Sequence, residues 1–164
     1  MKNFLTALTV LFAFTGCLKK ESDFCDIDTC STQAPASEVQ AVETYLANNA
    51  ITATKHCSGL YYRIETAGGG ANPRDCSTIG ITYKGQLTNG NVFDQSASPV
   101  SFRLSQLIMG WRNSLPLLKA GGKIHLYIPP SLGYGSQDTR DANGTVIIPG
   151  NSILIFEINL ISVQ

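Results

Sequence analysis

A chain of 164 residues, 43% of them hydrophobic, is long enough for one compact domain with extensions and too short for two full domains. Twelve basic residues balance twelve acidic ones and no Lys/Arg cluster stands out, so nothing gathers nucleic acid, which is not expected as a partner.

In chain order, Met1, Lys2 and Asn3 form a short positive start, and Phe4 to Phe14 is an apolar run too short to span a membrane stably. The pattern predicts a signal peptide over residues 1–16. Thr15-Gly16-Cys17 resembles the bacterial lipobox, which implies that Cys17 becomes the lipid-bearing N-terminus. Phe14 stands where that pattern prefers an aliphatic residue, and a plain secretory signal is the alternative. The lipobox reading places the protein in the bacterial cell envelope, anchored to a membrane, with its domain in the periplasm or at the cell surface.

Export sets the chemistry of the remaining cysteines. Cys25, Cys30, Cys57 and Cys76 permit two disulfides in three pairings. The expected pairs are Cys25 with Cys30 and Cys57 with Cys76, the second closing a loop of eighteen intervening residues. The competing reading is a metal site. Cys25 and Cys30 lack a second close-spaced pair and His56 beside Cys57 is a single candidate ligand, so no metal is expected.

Residues 17–37 are polar, with Pro35 and few bulky apolar side chains, and read as a flexible tether. Ser37 followed by Gln40 matches a capping box, and Val39, Val42, Tyr45, Leu46 and Ala50 recur at helical spacing, predicting a helix over 38–49 within an N-terminal helix and connector of 38–57. Its apolar stripe either packs on the domain or meets a partner chain; the oligomeric state stays open.

From residue 58 to 164 strand patterns dominate. Gly59 to Thr66 is followed by a Gly-rich turn, and Thr78 to Leu87 alternates with Ile79, Ile81, Tyr83, Gly85 and Leu87 on one face. Asn89-Gly90 predicts a tight hairpin turn returning through Val92-Phe93-Asp94. Gly110 to Leu118 reads as one short helix that Pro116 shortens or kinks. Lys123 to Ile128 alternates cleanly, with Lys123, His125 and Tyr127 opposite the apolar positions, and Ser152 to Val163 puts Leu154, Phe156, Ile158 and Leu160 on one face of a central strand. Between them the Gly-, Asp- and Ser-rich segment from Ser131 to Asn151 is longer than a hairpin needs, and long ordered loops are usually functional.

Ile81-Thr82-Tyr83-Lys84-Gly85-Gln86-Leu87, Asn89-Gly90, Val92-Phe93-Asp94, Gly110-Trp111 and Tyr134-Gly135 resemble, in this order, the FKBP-type peptidyl-prolyl cis/trans isomerases. The resemblance covers roughly two thirds of the chain, from Gly59 to Gln164. It implies an α+β fold, a curled antiparallel sheet wrapped around one short helix, and a shallow apolar pocket that turns X-Pro bonds without a cofactor. Its expected substrates are proline-containing segments of unfolded or exported polypeptides; a non-catalytic chaperone using the same groove is the alternative. Carried over residue by residue, the resemblance makes Tyr83, Phe93, Asp94, Trp111 and Tyr134 catalytic. Leu107, Ile108, Ile147, Ile148 and Phe156 bind substrate, with Ile108 N–H donating to the peptide and Ile147 and Ile148 forming an apolar lip. Asp94 is expected as the pocket's buried carboxylate, with a solvated Asp94 on a turn as the alternative. Three places depart from the family pattern: Val100, where many members carry a pocket aromatic; Met109, where a basic residue is common; and the expanded segment Ser136 to Thr145, flexible by composition.

Overall fold

The computed structural model describes residues 25–164; the expected signal peptide and the expected lipid site at Cys17 lie outside the described residues. In chain order the elements are α1 (Ala36–Asn48), β1 (Thr54–Lys55), β2 (Tyr61–Thr66), β3 (Thr78–Leu87), β4 (Val92–Arg103), α2 (Met109–Ser114), β5 (Gly122–Ile128), β6 (Thr139–Arg140), β7 (Val146–Ile148) and β8 (Leu154–Val163). One antiparallel sheet has the order β1-β2-β5-β8-β3-β4, while β6 and β7 pair separately. The C-terminal β8 thus lies between β5 and β3, where the near-continuous burial of Leu154 to Ile158 requires it.

Alternation along the strands covers both faces of this sheet. Ile124, Leu126 and Ile128 are fully buried in one core with Ile79, Ile81, Trp111 and Leu115, beneath α2. Tyr127 points the other way and, with Tyr61 and Ile155, receives Val39, Val42 and Leu46 of α1. An isolated helix of 13 residues is marginal in water. Burying a Val or Leu stabilises by about 1.5–3 kcal/mol, and three such side chains suffice to hold α1 in place. Of the two fates left open by its apolar stripe, α1 takes the first and packs on its own domain.

The helix begins two residues earlier than the capping-box pattern predicts. Pro35, with φ −54°, is the N-cap and makes no side-chain cap, and Ser37 lies inside the first turn. The Glu38 carboxylate accepts instead from Ser131 N–H at 2.8 Å, tying the helix to the segment after β5. At the other end Ile51 N–H bonds Leu46 C=O and Ala50 N–H bonds Ala47 C=O, a Schellman closure with Ala50 at φ 53°.

Two expectations about the N-terminal part are corrected. From Cys25 onward the segment read as a tether is fastened to the domain: Arg74 pairs with Asp26, and Ala34 N–H bonds Ser58 C=O at 2.9 Å. The disulfides join Cys25 to Cys76 and Cys30 to Cys57, with Cα–Cα distances of 5.0 and 5.4 Å, not Cys25 to Cys30 and Cys57 to Cys76. The reason lies in the strand order. Cys57 leads into β2 and Cys76 into β3, and β5 and β8 stand between those strands. Three strand spacings amount to about 14 Å, beyond the roughly 7 Å across which cysteine Cα atoms can be bridged.

Elsewhere, α2 ends at Ser114 and a 3-10 turn over Leu115–Leu117 takes up Pro116, as the proline demands. Residues 136–145, expected to be flexible, form most of the β6–β7 hairpin. Asp141 closes its tip by accepting from the N–H groups of Asn143 and Thr145, both at 2.9 Å.

Candidate active site

Where β3, β4, α2 and β8 converge, aromatic rings contact one another edge to face. Trp111 lies in the first turn of α2 and is 5% exposed; its ring meets Phe156 of β8 at 5.0 Å between centroids and Tyr83 of β3 at 5.5 Å. Tyr83 in turn meets Phe102 of β4 at 6.3 Å. These four rings, with Leu107, Ile108, Gln106, Asp94 and Tyr134, line an open cavity of about 250 Å³. Such edge-to-face contacts are worth about 0.5–1.5 kcal/mol each beyond burial and fix ring orientation. The cavity therefore has a shaped, largely apolar wall.

Glycines make room for that wall. A Cβ on Gly85 would come within 2.6 Å of Phe156 and 2.7 Å of Phe93, and one on Gly110 within 2.5 Å of Ile128. The pairing of β3 with β4 slips between Gly85 and Gln86, whose partners are Asp94 and Val92. Phe93 is the extra residue of this bulge and packs perpendicular to Phe156 at 5.5 Å. Asp94 follows at the cavity rim.

Polar groups are few. The Tyr83 hydroxyl donates to Asp94 Oδ2 at 2.6 Å. Burial first, then this hydrogen bond, holds the Tyr83 phenol far above its ordinary value; burial and then the charge of Asp94 raise Tyr134. Both hydroxyls are therefore protonated donors at neutral pH. The Trp111 indole N–H is buried and without an acceptor among the described residues. Ile108 C=O accepts from Trp111 and Arg112 N–H, while no hydrogen bond among the described residues uses Ile108 N–H. Beneath the cavity, Arg112 Nε and Nη2 bond the two oxygens of buried Asp75 at 2.8 and 3.0 Å, and Ser105 N–H bonds Asp75 C=O, so α2 and the segment before it share one fixed point.

Tyr83, Asp94, Leu107, Ile108, Trp111, Tyr134 and Phe156 meet in one cavity. Three expectations change. Asp94 is exposed rather than buried, since the bulge lifts it to the rim where water shares its solvation. Phe93 lies behind Phe156 instead of on the lining. Ile147 and Ile148 form no common lip: alternation in β7 sends Ile148 into the core at 3% exposure and leaves Ile147 at the surface, neither on the lining. Phe102 and Gln106 line the cavity unannounced. Alternation from Val100 gives a signal for Phe102; Gln106 sits in a 3-10 turn and carries none.

An antiparallel sheet wrapped on one short helix, with an aromatic cavity between them, defines a class, and the profile of the FKBP-type peptidyl-prolyl cis-trans isomerases matches residues 69–161. The chain belongs to this family. It is similar to the curated isomerase FkpA of Buchnera aphidicola subsp. Acyrthosiphon pisum, 48% identical over 112 residues that make 66% of this chain and 44% of that one. Among solved structures it resembles FkpA from Escherichia coli, with TM-score 0.66 and 37% identity over 79% of this chain and 60% of that one. It also resembles the peptidyl-prolyl cis-trans isomerase of Pseudomonas syringae pv. tomato, with TM-score 0.67 and 32% identity over 81% and 98%. The chain spans less than half the length of the curated relatives named FkpA that it matches.

Proposed function

We propose that this chain isomerises X-Pro bonds in unfolded or exported polypeptides, in the cavity floored by Trp111. The observation that carries the reading is an apolar aromatic wall with one hydrogen-bonded carboxylate, the Tyr83–Asp94 pair, at its rim. Rotation about an X-Pro amide breaks no bond; the resonance barrier is about 18–20 kcal/mol. An apolar wall withdraws the water that favours the planar, more polar amide, and a cavity shaped to the twisted bond binds the transition state better than either planar isomer. The Tyr134 hydroxyl and Ile108 N–H orient the peptide, and the Tyr83–Asp94 pair meets the rotating carbonyl as a fixed dipole. No proton transfer and no cofactor is needed.

A protease-coupled assay on an X-Pro peptide tests this. Asp94→Ala, at an exposed position that leaves the fold intact, is expected to lower kcat/KM by about tenfold, equivalent to ~1.4 kcal/mol of transition-state stabilisation; Phe93→Ala lowers it by unseating Phe156. A wild-type rate no higher than the uncatalysed one overturns the enzyme reading. Suppressed aggregation of an unfolded substrate without turnover would then favour a peptide-holding module.

The same proposal includes an envelope location with lipid on Cys17, supported by the apolar run ending at Thr15-Gly16-Cys17. Among the described residues no helix is long and apolar enough to cross a membrane. Cys17→Ala is expected to move the protein from the membrane fraction to the soluble one; unchanged fractionation removes the anchor from the reading.

A further inference from the structure

The two disulfides differ in what can reach them. Cys25 and Cys76 are both half-buried, whereas the bridge between Cys30 and Cys57 is lopsided: Cys30 is half-buried and Cys57 is exposed. Cys57 lines an open groove of about 450 Å³ beside α1, together with the amide side chains of Gln33 and Gln40. None of these residues lines the aromatic cavity. A nucleophile entering the groove therefore meets one sulfur of the pair.

Beside that sulfur stands an imidazole whose tautomer is fixed. His56 Nδ1 accepts from the Ser58 N–H at 3.2 Å and from the hydroxyl of fully buried Ser58 at 2.9 Å, which leaves the proton on Nε2. Burial holds His56 below its ordinary value, so the ring is neutral at pH 7. Nδ1 and Nε2 lie 3.7 and 3.8 Å from Cys57 Sγ, so the bonded sulfur rests alongside the ring instead of at the end of its N–H. Freed as a thiolate, that sulfur needs only a turn of its own exposed side chain to accept the Nε2 hydrogen. The surrounding charges favour the same outcome. Glu43 and Lys55, also on the groove, pair with each other at 3.1 Å, while the Asp28 carboxylate accepts from Cys30 N–H at 2.9 Å and disfavours an anion on Cys30. The imidazole thus stabilises the reduced pair, with its charge on Cys57, through a contact that the disulfide does not make.

We propose that the Cys30–Cys57 bridge is a thiol–disulfide exchange site for cysteine-bearing polypeptide segments that settle in the groove. A substrate thiolate attacks exposed Cys57 Sγ and forms a mixed disulfide. The bond to Cys30 breaks, and Cys30 leaves as a thiolate that takes a proton from water. A second substrate thiol gives its proton to water and attacks the substrate sulfur of the mixed disulfide, so that Cys57 leaves as a thiolate on the Nε2 hydrogen of His56. The substrate departs with a disulfide, having passed two electrons to the pair. A small-molecule disulfide of the glutathione class runs both steps backward and restores the bridge. The packing of α1 and the Ala34–Ser58 hydrogen bond hold the reduced segment in place meanwhile.

The oxidised full chain carrying Cys17→Ser, mixed with an excess of a reduced peptide that holds two cysteines, tests the site. About one equivalent of peptide disulfide should form per chain. Brief treatment with glutathione, an acid quench and mass mapping should place the adduct on Cys57. Cys30→Ser with Cys57→Ser abolishes the transfer, Cys25→Ser with Cys76→Ser leaves it, and His56→Ala slows it by about tenfold. In Cys30→Ser the thiolate absorption of Cys57 should titrate below the free-cysteine value of about 8.5, and adding His56→Ala should return it there. Near-ultraviolet circular dichroism of Trp111 reports the fold in every sample. The proposal is overturned by no transfer from the folded oxidised chain, by adducts on Cys25 or Cys76 in place of Cys57, or by a Cys57 titration that His56→Ala does not move.

Discussion

Asp94 acts on two phenols at once. It accepts the Tyr83 hydroxyl and its charge raises Tyr134, so replacing it changes what those rings can donate. The sign of the pH effect follows. Both phenols titrate in the folded chain above the free value near 10. Their contribution to stability is fully present below about pH 10 and is lost as pH rises through the folded values. In an alkaline absorbance titration of tyrosinate, Tyr83→Phe should remove a late-titrating phenol and leave the early part of the curve unchanged, while Asp94→Asn should move part of the late rise to lower pH. A curve that Asp94→Asn leaves in place would mean that burial alone raises both groups. At this scale the motif residues were legible because their types are unusual together: an aromatic followed by a carboxylate, a Gly-flanked tyrosine, a lone tryptophan after glycine. Ile148 was not, because an Ile-Ile pair does not say which member alternation turns inward. The exposure of Asp94 depends on a one-residue bulge that periodicity does not encode.

The elements were legible where one face decides everything. The bounds of β3 match its alternation at Thr78–Leu87, and Pro116 announced the change from α-helix to 3-10 turn. The start of α1 was not legible in this way, because a capping box is a local preference and Glu38 bonds Ser131, 93 positions away. Its other end leads to a prediction. Ala50 occupies the left-handed conformation that the Schellman closure needs at that place, where glycine carries no Cβ penalty. Both closing hydrogen bonds and the burial of Ile51 persist without the Ala50 methyl group. Ala50→Gly is therefore expected to stabilise the protein by about 0.5–1 kcal/mol, the reverse of the effect of glycine inside a helix. Urea unfolding followed by Trp111 fluorescence measures it; a lowered midpoint at unchanged slope would show that the unfolded chain's gain in freedom outweighs the relieved strain.

At the scale of the whole molecule, the segment from Cys25 onward, α1 and the isomerase domain form one body because covalent and packing constraints agree. α1 lies across β2, β5 and β8, Cys30 is joined to Cys57 ahead of β2, and Cys25 is joined to Cys76 beside the Asp75–Arg112 pair that fixes α2. The pairing could not be read from spacing in the sequence, since it depends on which strands separate β2 from β3. The two readings differ in a measurable way. Proteolysis of the unreduced protein should release Cys25 linked to Cys76 and Cys30 linked to Cys57, whereas sequence proximity demands Cys25 with Cys30. The energetic consequence differs as well. The observed bridges join residues 51 and 27 positions apart, and loop-closure entropy assigns them about 4 and about 3.5 kcal/mol; a five-residue closure from Cys25 to Cys30 would contribute less. Cys25→Ser with Cys76→Ser should therefore lower the unfolding free energy by about 2–4 kcal/mol while turnover on an X-Pro peptide survives at temperatures where the variant stays folded, because neither sulfur touches the cavity. If the double variant loses turnover while still folded, the Cys25–Cys76 bridge also positions the pocket floor, through Asp75 and Arg112.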